Sequence, residues 1–392
     1  MSNDSKRYDQ RGVSATKDEV HAAIQKVDQG LFPNAFCKVY PDFLGHDAQW
    51  CNIIHADGAG TKSVLAYMYW KETGDLSVWK GIAQDAIVMN TDDLICAGAV
   101  TDFLMSSIIN RNKHLIPGEV VKALIEGSQE VADMLAKYGV HVHLMGGETA
   151  DVGDCMRTVM VDAVMTARLK REDVITNEHI QAGDVIVGFA SSGQTTYEQT
   201  YNGGMGSNGL TSARHDIFAK IYAEKYPECY DPNTPLDLVY CGTKLLTDSV
   251  EDSPLDAGKL VLSPTRTYAP LVKRWFDEGL KKHIHGLIHC SGGAQTKILH
   301  YIHGLHIIKD DLLEVPPLFR LIQSESKTDW KEMYQVFNMG HRLEAYVPES
   351  MAGELILSAK SFNIDAKIIG RVEKGSDKKV TIESQYGLFE YQ

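Results

Sequence analysis

The sequence predicts an α/β protein made of two successive α/β units, and three observations predict it. Short β-prone runs end in glycine-rich turns at residues 57–60 and 191–193, and stretches of helical period lie between the runs. A polar stretch, 170–182, separates two such series and marks the boundary.

Residues 1–50 mix charges, Pro33, Pro41 and scattered aromatics without a clear period, and read as an N-terminal arm with one short helix near 17–27. The first unit spans 51–170. Its opening strand, 51–56, stops at Asp57-Gly58-Ala59-Gly60. Helices follow over 62–69 and 78–97; in the second, Trp79, Ile82, Ala83, Ala86, Ile87 and Leu94 recur at three and four residues. A strand is expected over 101–109. Pro117 then opens an amphipathic helix reaching Gly139, a residue suited to a C-terminal cap. Strands at 140–145 and 158–169 complete the unit.

The second unit, 183–392, begins with a strand over 183–190 that runs into Ser191-Ser192-Gly193. Segment 194–209, rich in Gly, Thr, Tyr and Asn, reads as a long functional loop. A helix over 265–279 and strands over 286–289, 344–347 and 367–372 follow.

Composition narrows the class. The chain has 392 residues, 44% hydrophobic and 23% charged, the balance of a globular protein with sizeable cores. A net charge of -13 argues against a general nucleic-acid binder, which needs a basic stripe to displace counterions. It leaves room for a small anionic substrate held by a few lysines and backbone amides. The seven cysteines are odd in number and none fall in a CxxC spacing, the usage of a reducing compartment. With no apolar signal core and no run of membrane-spanning length, a cytoplasmic enzyme with no membrane partner is expected.

Three segments carry the chemistry. In Asp57-Gly58-Ala59-Gly60-Thr61-Lys62, two glycines let backbone amides approach an anion, the helix start favours negative charge, and Lys62 adds a cation. Asp57 suits a divalent cation bridging phosphate oxygens. The spacing is not that of the GxxxxGK[ST] phosphate loop, and alone the segment reads as a tight strand-to-helix turn. On the long helix, Asp85 and Asp92 share a face two turns apart, with Asp93 beside them. They read either as a solvated stripe or as Mg²⁺ ligands. The third segment, Met145-Gly146-Gly147-Glu148-Thr149-Ala150-Asp151, is again read as a strand end followed by glycines and carboxylates. Together the three suggest one nucleotide–metal cleft.

This ordered set resembles the phosphoribosylformylglycinamidine cyclo-ligases, or aminoimidazole ribonucleotide synthetases. The similarity continues through Ser191-Ser192-Gly193, Ser207-Asn208-Gly209, Ser263-Pro264-Thr265-Arg266, His289-Cys290-Ser291-Gly292-Gly293, the run from Met333 to Gly340, and Ile369-Gly370-Arg371-Val372. It spans roughly 55–372. The resemblance implies an N-terminal α/β domain that dimerises through its sheet into a barrel, with a C-terminal α/β domain beside it. It implies ATP and Mg²⁺ as cofactors and a phosphorylated ribonucleotide, formylglycinamidine ribonucleotide, as substrate. ATP would phosphorylate the formyl oxygen, the amidine nitrogen would attack, and phosphate would leave as the ring closes.

By the same resemblance Asp57, Gly58, Gly60, Thr61, Lys62, Asp93, Gly147, Glu148 and Thr149 would hold the nucleotide, and Asp57, Asp85 and Asp93 the metal. Ser192, Gly193, Ser207, Asn208, Gly292 and Gly293 would meet the substrate. Lys62, Asp93 and His289 would act at the reacting centre. As a bare residue, His289 reads as a hydrogen-bonded structural histidine, and the resemblance is what brings it to the reacting centre.

The chain departs from the family pattern in specific places. No glycine-rich loop with a preceding lysine occurs in 28–50, where Lys38 is a loose candidate. Gly206 stands where a histidine precedes Ser-Asn-Gly, and the loop 194–206 is long. Asp92 replaces an asparagine, Ala294 a third glycine, Asp151 a glutamate, and Gly340-His341-Arg342 a Gly-x-Gly. These changes leave two rivals: another ATP-dependent member of the superfamily, or a non-catalytic nucleotide-binding paralogue. The histidines at 283, 285, 300, 303 and 306 lack cysteine or carboxylate companions at ligand spacing and read as packing or surface residues.

Overall fold

The computed structural model describes residues 10–13, 23 and 27–392, so the helix expected near 17–27 falls largely outside the described residues. The first unit holds β1 (Val39–Pro41), β2 (Trp50–Gly58), α1 (Lys62–Thr73), α2 (Ser77–Cys96), β3 (Phe103–Arg111), α3 (Gly118–Ala136), β4 (Val142–Asp151) and β5 (Val159–Lys170). The strands form one sheet in the order β1-β2-β5-β3-β4. β3 and β4 pair in parallel and the other neighbours antiparallel. Residues 39–41, within the stretch read as an arm, thus add an edge strand to β2.

β5 shows why this sheet has one inner face. Val159, Val161, Ala163, Met165, Ala167 and Leu169 alternate with less buried residues and point at the helices. The opposite face, carrying Ile54 and Leu104, is open, and these two are 68% and 46% exposed. The third segment differs from its reading as a strand end followed by glycines and carboxylates: Gly146 to Asp151 continue β4. A bulge opposite Met105–Ser107 absorbs the glycine pair, and a β-carbon on Gly147 would lie 2.1 Å from Ser107 O.

The second unit forms a seven-stranded sheet. Its strands are β6 (Asp184–Ala190), β7 (Gly286–His289), β8 (Leu305–Lys309), β9 (His341–Pro348), β10 (Ala366–Lys374), β11 (Lys379–Ser384) and β12 (Gly387–Tyr391), in the order β12-β11-β8-β10-β6-β9-β7. The helix expected over 265–279 begins only at Ala269, because 263–268 runs extended against α2.

α2 joins the two units. Every residue from Asp85 to Cys96 is buried, polar ones included, so the helix is enclosed by protein on all sides there. One core cluster contains its Trp79 and Ile82 together with Tyr222 and Leu260. The other contains its Ile87 and Leu94 together with Phe189, Trp275 and Leu343. Both cores cross the boundary at 170–182.

Candidate active site

The period of β2 places His55 and Asp57 on the inner face, against Asn90 and Asp93 of α2. Asn90 fixes the local geometry by donating from Nδ2 to Asp57 O at 3.1 Å and Ala163 O at 3.2 Å. Its Oδ1 therefore accepts from His55 Nδ1 at 2.9 Å. The other ring nitrogen of His55 lies 3.2 Å from Asp93 Oδ2. Asp93 Oδ1 is 2.5 Å from Nδ1 of His289, the last residue of β7, and His289 Nε2 meets Arg342 Nη2 from β9. Five side chains from four elements thus form one continuous line. Sequence reasoning missed His55, Asn90 and Arg342. For His55 the signal was present, since it stands two residues before Asp57 on the same strand face.

Burial alone would strip His55 of charge, but the hydrogen bond and charge of Asp93, with help from Asn90, raise its pKa to about 9. Burial likewise opposes the Asp93 carboxylate, yet the two imidazoles hold its pKa well below the usual range. His289 is shifted down by burial and by the Arg342 charge, against the pull of Asp93. Arginine has only donors, so Nε2 of His289 accepts and its ring proton sits on Nδ1 toward Asp93.

Two of the expected ligand groups point elsewhere. Lys62 is fully buried; its Nζ lies 2.9 Å from Asp85 Oδ1 and 2.5 Å from Ser263 O. The same Asp85 oxygen accepts Thr265 N at 2.7 Å. Lys62 and Asp85 therefore serve each other and the second unit instead of a phosphate or a metal. Asp92 is occupied in the same way, since its oxygens accept Thr267 Oγ1 at 2.7 Å and Tyr268 N at 2.9 Å. Its pKa is raised by burial. The stripe of three carboxylates is thus neither solvated nor gathered on one ion.

At the turn, a β-carbon on Gly58 would fall 1.8 Å from Asp162 Oδ1, and Gly60 has φ +55°, so both positions need glycine. Asp57 Oδ1 accepts Gly58 N at 2.7 Å, and Thr61 Oγ1 is 3.0 Å from Thr211 Oγ1. A cleft of about 610 Å³ opens beside Gly60 and Thr61, with Arg11, Arg157, Thr211 and Arg214 in its walls. Strand register puts Gly147 and Thr149 on the face of Asp57, whereas Glu148 aligns with Ile108, Asp162 and Gly58 on the open face.

The remaining expected residues approach one another across the second unit. A β-carbon on Gly292 would come within 3.7 Å of Asn208 Nδ2, and Gly293 adopts φ +85°. Ser207 Oγ is buried without a partner. Ser192 O accepts Arg266 Nη1 at 2.7 Å, and Gly193 pairs with Asn202 through the backbone. The long loop is held firmly: Glu198 takes both Arg266 and Asn202, and Tyr197 OH donates to Thr267 O at 2.6 Å.

As a Mg²⁺ centre, the trio Asp57, Asp85 and Asp93 does not fit this arrangement, because Asp85 is sealed under Lys62 and both Asp93 oxygens face imidazoles. Elsewhere, ligand atoms of Cys290, His341 and Glu344 lie within 4.8 Å of one another. There the Lys309 ammonium pairs with Glu344 and fills the place of a cation. Of the remaining histidines, His285 pairs with Asp184 at 2.9 Å and His306 with Thr381 Oγ1 at 2.8 Å.

The fold and this line of buried polar groups define an AIR synthase-type protein: residues 40–169 match the family described as AIR synthase related protein, N-terminal domain. The chain is 30% identical over 329 residues to the phosphoribosylformylglycinamidine cyclo-ligase of Methanocaldococcus jannaschii, covering 82% of this chain and 77% of that one. It belongs to the phosphoribosylformylglycinamidine cyclo-ligase family. Among solved structures, phosphoribosylformylglycinamidine synthase II of Thermotoga maritima superposes with a TM-score of 0.55 at 12% identity, over 98% of this chain. The chain spans 50% of that protein's length. Thiamine monophosphate kinase of Aquifex aeolicus gives 0.53 at 13% identity, over 94% of this chain and 95% of that one. These two share the fold. No helix among the described residues is long and apolar enough to cross a membrane.

Proposed function

We propose that the chain is an ATP-dependent cyclo-ligase that converts formylglycinamidine ribonucleotide into aminoimidazole ribonucleotide, ADP and phosphate, a step of purine biosynthesis. The 30% identity to a cyclo-ligase across 82% of the chain carries this reading. ATP lies with its phosphates on the amides of Gly60 and Thr61 at the start of α1, in the arginine-walled cleft. Transfer to the formyl oxygen turns a carbonyl into an imidate with a good leaving group. The amidine nitrogen then adds, and phosphate departs.

The chain's own contribution is positional and electrostatic. Asn90 holds the backbone of Asp57, and the His55–Asp93–His289 line keeps the centre water-poor and fixed. Gly292, Gly293, Ser207 and Asn208 form the substrate side. Asp57 would hold the Mg²⁺ that comes with ATP, and the ion would offset the charge that builds on the transferring phosphoryl oxygens. A homodimer closes over the open face of the sheet, where Ile54 and Leu104 are exposed and Met145 is 64% exposed at the β4 bulge. Glu148 lies on that face.

The test is ADP release by the purified protein with Mg²⁺-ATP and formylglycinamidine ribonucleotide, with parallel detection of the aminoimidazole product. One ADP per product supports the reading. ADP formation with another acceptor only, or none at all, refutes it.

A further inference from the structure

Arg11 belongs to the stretch read as an N-terminal arm, yet its side chain is buried against the second unit and only 5% of the residue is exposed. Its guanidinium grips Asp216 of the helix Leu210–Ile217 with both ends of the fork, Nη2 to Oδ1 at 2.6 Å and Nη1 to Oδ2 at 3.0 Å. Nη1 also donates to Ser212 Oγ at 3.1 Å on the same helix, Nε donates to Leu238 O at 3.1 Å, and Nη2 approaches Cys241 Sγ at 3.6 Å. A guanidinium has five N–H groups, and these five contacts use them all. The charge of Arg11 is met by a carboxylate and no donor remains for a ligand, so its role is to hold the chain.

What it holds is part of the wall of the nucleotide cleft. Gly12 and Val13, the next two residues, line the cleft of about 610 Å³ together with Gly60, Thr61, Thr211 and Arg214. Thr211 and Arg214 stand on the gripped helix, and Thr61 meets Thr211 through their hydroxyls at 3.0 Å. Gly12 has φ +73°, and a β-carbon there would meet nothing within 4 Å, so the chain turns in a conformation that suits glycine with open space beside it. Other described residues of the arm attach to the first unit and the boundary. Val39–Pro41 pair with β2, and Asn34 O accepts Asn177 N at 3.1 Å. The arm is thus fastened to both units.

We infer that Arg11 is a positioning residue, whose clamp on Asp216 fixes Gly12 and Val13 in the wall against which a nucleoside di- or triphosphate binds. A wall already in place spares the ligand the entropy of ordering it, so loosening the clamp weakens binding although Arg11 touches no ligand. The nucleotide as occupant rests on the cyclo-ligase reading; the clamp and its place in the wall rest on the geometry.

The experiment is calorimetric titration of the full-length protein with Mg²⁺-ADP, without turnover. Wild type is compared with Arg11→Gln, Arg11→Lys, Val13→Glu and Val13→Lys, the last two at a half-buried position that tolerates a polar side chain. Arg11→Gln should weaken ADP binding about tenfold, an ordinary coupling between a remote contact and a ligand, and Arg11→Lys less. Val13→Glu should weaken it about fivefold and Val13→Lys should not, because the phosphates of the nucleotide feel the two charges with opposite sign. That dependence on sign is not expected of a residue that serves folding alone. If Arg11→Gln fails to fold, Arg11→Lys decides for the clamp and the Val13 pair for the wall. Wild-type protein that binds no ADP, a folded Arg11 variant that binds it equally well, or Val13 variants of either charge with the same effect overturns the inference. Clamp-dependent ADP binding in a protein that makes no aminoimidazole product supports the inference and removes the cyclo-ligase reading alone. Product formation with ADP binding indifferent to these variants does the reverse.

Discussion

Lys62 and Asp85 face each other across 2.9 Å with no solvent-exposed side-chain surface on either, and the carboxylate also takes the backbone amide of Thr265. Removing one partner leaves a naked charge inside the protein. Asp85→Ala should therefore lower stability by about 3–5 kcal/mol, measured by urea unfolding. The double variant Lys62→Met/Asp85→Leu should recover much of that loss. An Asp85→Ala protein as stable as wild type would show that the ammonium finds another partner.

Asp57→Asn keeps the shape of the turn while removing its negative charge. Loss of ATP turnover by about a hundredfold or more is expected, with the thermal midpoint unchanged. Full activity in this variant would place the nucleotide elsewhere.

Glu344 gives the protein an acid limit. Burial opposes its charge, but Lys309 and His341 bring its pKa down to about 2. A carboxylate depressed in the folded state stabilises above its unfolded pKa, near 4.5, and loses that contribution as pH falls toward 2. The buried His341, itself shifted down, works in the same direction below about pH 6.5. Unfolding free energy should fall steadily from about pH 6.5 to about 2, and Glu344→Gln should flatten the lower part of that curve while reducing stability at neutral pH.

The open face of the first sheet should hold the dimer. Ile54→Lys or Leu104→Glu should shift the mass measured by light scattering from two chains to one. A wild-type protein that is monomeric at all concentrations would leave that face with a different role.

Much of the fold was legible because its signals are local. The period of Trp79, Ile82, Ala83 and Ala86 gave α2 to within a residue at each end. The strand expected over 158–169 lies within a residue of β5 at each end, and the strand 286–289 was placed as found. The strand was expected to stop at 145 and runs on to 151, because a glycine pair looks alike after a strand end and in a bulged strand. The site was legible as a set of residues and not as a set of contacts. Nothing near Asp85 in the sequence announces Lys62 as its partner. The partners of Asp92 and Asp93 come from Thr267, Tyr268 and His289, nearly two hundred positions away. Arg342 was visible only as an oddity of pattern, since its partner His289 lies 53 positions away.

α2 belongs to the first unit by connectivity, yet its Asp85, Asp92 and Asp93 each accept a hydrogen bond from the second. A fragment ending near residue 170 would have to dissolve or neutralise those carboxylates and expose Trp79, Ile87 and Leu94 as well. The boundary at 170–182 is therefore a seam in the drawing but not in the folding. Grafting the first unit onto a foreign partner would require the acceptor to supply its own equivalents of Thr265, Thr267 and His289.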